Sequence, residues 1–303
     1  MSNPSRPAVL TVGYVGLDHV VGLDHAISPG RTSLVERRHT PESGRLGGCG
    51  PNIALGLAAA GCQVDVVTWV GDDAGADRVA QVLCDAGIST EGMQRVLERT
   101  GTSWLPYAPD GASYCVYDPG GPLPQSLGEA QRRLCATARW SAIAVGPPGP
   151  TQEALDLLPD DATLLWPVKA DAASVPPLLA RKLAERANAI VLNREETTFL
   201  AEVVGSNWQQ AAAERDVLVI ETRGAGGLRW RQRDASAELS LTPVRVSDTV
   251  GAGDRFCAGV LAGLVRGHDV DTVVRDAARG VADLLRGRID EHPPSASTTT
   301  PTT

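Results

Sequence analysis

The 303-residue sequence predicts an α/β fold, a three-layer sandwich on a mostly parallel sheet with a small β-sheet lid. Three observations carry that reading. Short apolar runs alternate with stretches of helical period through most of the chain, the pattern of a parallel sheet with helices on both faces. Two stretches, about 18–44 and 95–118, break the rhythm with polar, irregular or hairpin-like sequence, and paired together they would form the lid. The composition, 43% hydrophobic and 21% charged, is that of an ordinary globular domain able to bury a sizeable core.

The elements follow in order. The opening AVLTVGYV, residues 8–15, reads as a buried first strand. Asp18 to Gly44 is polar, with short strand-like pieces. Asn52 to Ala60 looks helical, with Asn52 near its N-cap. Gln63 to Val70 is a strand, and Ala74 to Ala86 an amphipathic helix ended by Gly87. Thr102–Tyr107 and Ser113–Tyr117 flank the turn Pro109-Asp110-Gly111 and form a hairpin. Beyond it, strands at Ala142–Val145, Thr163–Trp166, Ala189–Leu192 and Val217–Glu221 alternate with helices near 126–138, 174–186 and 194–204. Helices at about 251–266 and 270–286 close a single domain spanning 1–290. The tail SASTTTPTT has nothing to build a core from, so 291–303 is expected to be disordered. GLDH at 16–19 recurs at 22–25, a local duplication and not a repeat architecture.

Composition also excludes. A net charge of −8 argues against nucleic acid or an anionic membrane as main partner. No apolar run approaches the roughly 18 residues of a membrane span. The N-terminus lacks a signal peptide's apolar core, so a cytoplasmic protein is expected. The six cysteines form no CxxC pair and the five histidines no HExxH, so a zinc site is not expected. Lys169 and Lys182 are the only lysines and neither follows a glycine, which removes a Walker-type phosphate loop. Any phosphate cradle must be of another kind.

Two segments offer one. In Asp248-Thr249-Val250-Gly251-Ala252-Gly253-Asp254 a glycine turn feeds a helix. Its outward N–H groups and the helix dipole make an anion site, and Asp254 there is a poor phosphate ligand but a good base for a hydroxyl. In Gly47-Gly48-Cys49-Gly50-Pro51-Asn52 glycines open a second helix, and Asn52 offers both donor and acceptor to a hydroxyl. Each alone reads equally as a glycine-rich helix start with a polar cap.

Together, some 200 residues apart in an α/β chain, they resemble the ribokinase (PfkB carbohydrate kinase) family over nearly the whole length, with a nucleoside-kinase-like branch also in view. Gly47–Ala54 is similar to the family's double-glycine signature and Asp248–Asp254 to its DTxGAGD signature. Asn193-Arg194-Glu195-Glu196 falls at its NxxE motif, Val70-Gly71-Asp72-Asp73 at its VGxD turn, and Thr222-Arg223-Gly224 at a strand-end TxG. The resemblance implies a ribokinase-like fold and an ATP-dependent kinase that phosphorylates a hydroxyl of a sugar or nucleoside. Asp254 would be the base, and the N–H groups of Gly251, Ala252 and Gly253 the anion hole. Asp18, Gly47, Gly48 and Asn52 would bind substrate, with Asp24 in the second GLDH as fallback for Asp18. Asn193, Glu196, Thr222 and Gly224 would line the nucleotide site, Glu196 meeting Mg²⁺ through water. Asp248 and the Val250 carbonyl fall where relatives bind a monovalent cation, K⁺ for example. Relatives also pair through their lids, which implies a homodimer.

The chain departs from the pattern at Cys49 and Pro51, at Trp166-Pro167-Val168-Lys169, and at Arg286-Gly287-Arg288-Ile289-Asp290, where a nucleotide loop is expected. Two alternatives stay open, a kinase of a phosphorylated sugar, with Lys169 or an arginine neutralising it, and a non-catalytic binding protein on the same fold. A dinucleotide oxidoreductase does not fit, because Gly13-Tyr14-Val15-Gly16 is no GxGxxG turn.

Overall fold

A computed structural model of the chain describes residues 8–244, 246 and 248–291. The expected disordered tail beyond residue 291 lies outside them. The first strand, β1 (Ala8–Val12), leads into β2 (Gly16–Leu23), β3 (Val35–Arg38) and β4 (Arg45–Gly47). Helix α1 (Cys49–Ala59), β5 (Gln63–Gly71), α2 (Ala74–Asp85) and β6 (Met93–Leu97) follow, then β7 (Thr102–Tyr107) and β8 (Val116–Asp118). A regular alternation comes next: α3 (Glu129–Thr137), β9 (Trp140–Ile143), α4 (Pro148–Leu157), β10 (Thr163–Pro167), α5 (Pro177–Arg186), β11 (Ala189–Asn193), α6 (Arg194–Val203), α7 (Trp208–Glu214) and β12 (Leu218–Thr222). The hairpin β13 (Leu228–Gln232) and β14 (Ala235–Leu239) and the helices α8 (Ala252–Val265) and α9 (Val270–Glu291) end the described chain.

Nine strands make the main sheet, in the order β14-β13-β12-β11-β10-β9-β1-β5-β6. All neighbours are parallel except β12–β13 and β13–β14. The central strands are buried on both faces, which is why they read as unbroken apolar runs. Alternate residues serve two cores. Val9, Leu165, Ala189, Val191, Leu218 and Ile220 face α1, α2, α8 and α9. Leu10, Leu164, Trp166, Ile190, Leu192 and Val219 face α3 to α7. This is the three-layer sandwich that the alternation predicts.

The second sheet, β3-β2-β7-β8 with β4 paired to β2, is the lid. Its N-terminal part begins at Gly16, two residues before the expected start. Its second part begins at Thr102, not 95, because Met93–Leu97 pairs with β5 and belongs to the main sheet. The hairpin turns at Gly111 as expected, but its return strand is Val116–Asp118, with Ser113 reduced to an isolated bridge to Tyr107. No helix among the described residues is long and apolar enough to cross a membrane.

Candidate active site

In a parallel sheet the carboxyl ends of all strands lie along one edge, and ligands gather where the order of connections reverses. Here that point is β1, flanked by β5 on one side and β9 on the other. The residues singled out in the sequence fall at this edge: Asn193 ends β11, Thr222 ends β12, and α1 and α8 begin beside it.

Helix α1 starts at Cys49, three residues earlier than expected, with Gly48 as N-cap. Gly48 has φ 91°, and a β-carbon on it would sit 2.1 Å from the Tyr14 carbonyl oxygen, so only glycine fits. Since Gly48 caps the helix, Asn52 does not. Its side chain is released to donate from Nδ2 to Asp254 Oδ2 at 3.0 Å. Helix α8 starts at Gly251 in the left-handed conformation, φ 78°. Two helix N-termini therefore converge, and their unpaired N–H groups and dipoles favour negative charge between them.

The anion hole needs one correction. The Ala252 N–H already donates to the Thr249 carbonyl at 3.1 Å, so it closes the turn. Among the described residues the Gly251 and Gly253 N–H groups take no such partner, and the space beside the Gly253 α-carbon is open. Of the three N–H groups expected to form an anion hole, those two are left without a main-chain partner.

Asp18 lies at the start of β2, buried, on the lid surface that faces the main domain. A β-carbon on Gly47 would collide with its carboxylate, which explains the glycine opposite it. Burial pushes the Asp18 carboxyl up to about 6, against the Ser103 hydroxyl bonded to it and the nearby Arg45 charge. The Asp254 and Asp248 charges add to the rise, which puts all three carboxylates in one electrostatic neighbourhood. Asp24 drops out as fallback. It lies past the other end of β2, ~20 Å along the strand, where its carboxylate accepts from the Leu34 N–H at 2.8 Å and contacts His25 at 2.7 Å.

On the side where a nucleotide is expected, Asn193 and Glu196 cap α6 reciprocally. Asn193 Oδ1 accepts from the Glu196 N–H at 2.9 Å, and Glu196 Oε2 from the Asn193 N–H at 2.8 Å. Glu196 is buried, its other oxygen faces Lys169 Nζ at 3.9 Å, and its carboxyl is raised by burial. Thr222 is directly opposite Asn193 in the β11–β12 pairing, and its hydroxyl donates to the Leu192 carbonyl at 3.3 Å. Gly224 opens a short turn with φ 55° and open space beside it.

Lys169, just past β10 and named in the sequence only as a partner for a phosphorylated sugar, also belongs to this cluster. Cys49, Asp254 and Glu196 surround its ammonium and hold its proton more tightly than usual. Burial keeps the Cys49 thiol protonated at neutral pH, so the effective anions are the two carboxylates.

The expectations for bound ions meet this geometry differently. Among the described residues no three His, Cys, Asp or Glu side chains gather as a metal cage. Mg²⁺ usually keeps several waters and takes phosphate oxygens, and Glu196 Oε1, with only Lys169 near it among the described residues at 3.9 Å, is the oxygen left to meet such a water. The monovalent-cation expectation at Asp248 does not fit. Its Oδ2 accepts from Arg45 Nη1 at 2.8 Å, its Oδ1 from the Val250 N–H at 2.9 Å, and its carbonyl from Arg288 Nη1 at 3.0 Å. The expected nucleotide loop at 286–290 is also absent, because α9 continues through it as helix.

Comparison with known proteins agrees with this architecture. The chain is similar to the ribokinase of Bacillus subtilis, 24% identical over 275 residues that cover 90% of this chain and 91% of the relative. Its fold matches the nucleoside kinase of Methanocaldococcus jannaschii at a TM-score of 0.74, with 18% identity over 94% of this chain and 98% of that one. It matches the ribokinase of Cryptococcus neoformans, solved in complex with ADP, also at 0.74, with 23% identity over 94% and 100%. Residues 27–285 match the model of the pfkB family of carbohydrate kinases, and the chain belongs to that family.

Proposed function

We propose that the protein transfers the γ-phosphoryl group of ATP to a hydroxyl of a sugar or nucleoside, with Asp254 as general base. The observation that carries this reading is the Asn52–Asp254 hydrogen bond at the meeting point of two helix N-termini, beneath a lid that contributes Asp18. Asn52 holds one carboxylate oxygen of Asp254, the Cys49 thiol also bonds this carboxylate, and its remaining lone pairs take the substrate hydroxyl. As that hydroxyl attacks phosphorus its proton passes to Asp254, and charge on the transferring group meets the Gly251 and Gly253 N–H groups. Lys169 adds a positive charge beside the base. Asn193, Glu196, Thr222 and Gly224 form the nucleotide side. Mg²⁺, held through water by Glu196, would neutralise phosphate charge when bound.

With its Nδ2 committed to Asp254, Asn52 presents its carbonyl oxygen, and Asp18 presents a carboxylate. Two acceptors that both neighbour Asp254 suit two hydroxyl donors, so a vicinal diol on a ribose or furanose ring is the substrate feature proposed. One observation favours a second acceptor class. Arg45 Nη2 is buried and without a hydrogen-bond partner among the described residues, and an anionic group such as a sugar phosphate would satisfy it. A second copy of the chain is the partner proposed for the outer face of the lid, where Trp104 and Val116 are exposed.

The test is an ATP-coupled assay of wild type and Asp254→Asn against sugars, nucleosides and sugar phosphates. Wild type should turn over at least one diol-bearing compound, and the variant, keeping the fold, should lose at least about 100-fold in kcat. Turnover by the variant within a few-fold of wild type removes Asp254 as base. Turnover confined to sugar phosphates favours the second class.

A further inference from the structure

The sequence resemblance places a monovalent cation beside Asp248, yet the oxygens that Asp248 would offer such an ion are already bonded. Arg45 contacts Asp248 Oδ2 at 2.8 Å, and Arg288 contacts Oδ1 at 3.4 Å and the main-chain carbonyl at 3.0 Å. Asp248 is buried, so it needs a counter-charge, and two guanidiniums supply it. A further cation would meet occupied lone pairs and like charge.

We propose that Arg288, assisted by Arg45, takes the place of a monovalent cation, so that this enzyme has no K⁺ requirement. The inference rests on reading 248–254 as the phosphate loop. Asp248 Oδ1 also accepts the Val250 N–H at 2.9 Å, which fixes the turn. From that turn follow the left-handed Gly251 and the Thr249–Ala252 bond that starts α8. Whatever holds Asp248 therefore sets the position of the Gly251 and Gly253 N–H groups and of Asp254. A bound ion holds such a carboxylate only when its concentration suffices. A guanidinium is always charged, grips with several fixed donors and cannot diffuse away.

The source of Arg288 is the continuous helix α9. Where a loop was expected to lie near the nucleotide, the helix runs on and carries Arg288, nearly buried, into the cation position. Arg45 comes from the other side, on lid strand β4. Tyr107, on lid strand β7, also hydrogen-bonds at Thr249. The turn is thus held between the lid and the last helix, and Arg288 is a positioning residue that acts through Asp248.

The experiment compares wild type, Arg288→Met and Arg288→Lys in buffers whose only cation is a bulky organic one and in the same buffers with K⁺ added. Methionine keeps the apolar stem and removes the charge. Wild type should change by less than about twofold in kcat/KM on adding K⁺, and its melting temperature should not respond. R288M should lose about tenfold or more without K⁺ and recover most of that with it, and K⁺ should raise its melting temperature. R288K should stay K⁺-indifferent. K⁺ activation of wild type overturns the proposal, as does an R288M that is indifferent to K⁺ in both readouts. The melting response is read without turnover, so it decides the cation question even if no tested hydroxyl compound is phosphorylated, the result that would sink the kinase reading instead.

Discussion

Asp18 joins a proposed part in recognition to a pH signature. Its carboxyl sits at about 6 in the folded protein against an ordinary 3.8, mainly because it is buried. A raised acid means the folded state holds the proton more tightly than the unfolded chain. Folding stability therefore falls as pH rises from about 4 to about 6, by up to ~3 kcal/mol. Asp18→Asn removes that term. We expect the variant to be more stable than wild type at pH 7.5 and the two to converge near pH 4, as read by denaturant unfolding across pH. A constant difference would show that Asp18 does not titrate in this range. Loss of wild-type kcat/KM on acidification through about pH 6 is the matching kinetic expectation, since a diol needs the ionised acceptor. That Asp18, Asn52 and Asp254 meet in one neighbourhood was legible in the sequence, because each sits in a short motif at a strand end or helix start. Arg45 and Arg288 were not. They reach Asp248 across 203 and 40 residues, and nothing in the neighbourhood of a long flexible side chain tells where its tip will land.

Single elements decide what those residues can do. The cap of α1 lies at Gly48 and not at Asn52, a shift that converts Asn52 from a helix cap into the partner of Asp254. Reading the polar residue as the cap was natural, since asparagine is a favoured N-cap. It failed because the strained glycine turn had already begun the helix. Gly48→Ala tests this element. The new methyl group would overlap the Tyr14 carbonyl at a positive φ, so we expect a loss of about 3 kcal/mol or more in unfolding free energy. Residual folded protein should lose activity further, because α1 carries Asn52. Stability within about 0.5 kcal/mol of wild type would show the turn is not so constrained. The N-x-x-E of α6 was legible as a helix start, and the reciprocal cap explains its spacing. Other elements were hidden. Helix α4 opens Pro-Gly-Pro, which reads as a turn, and the polar hairpin β13–β14 sits at the sheet edge, where no apolar run marks it.

At the scale of the molecule, the three layers were legible because doubly buried strands cannot hide their apolar runs, whereas the exact edge of the lid depended on which sheet claimed Met93–Leu97. The lid's outer face bears Trp104, stacked on His19 at 6.3 Å and directly opposite Val116. Burying that face against a second copy is the proposed assembly. Wild type should run as a dimer by light scattering and Trp104→Glu as a monomer, while equal masses for the two would remove this face as the interface. The order of the main sheet has one more consequence. Strand β1 is paired with residues 63–67 on one side and 140–143 on the other. On the ribosome, which delivers the chain from its N-terminus at about 5–20 residues per second, one flank of β1 gains its partner early. The other must wait for residues 140–143 to emerge. During that interval β1 is an open edge in the middle of an unfinished sheet, which exposes the nascent chain to aggregation and to capture by a chaperone.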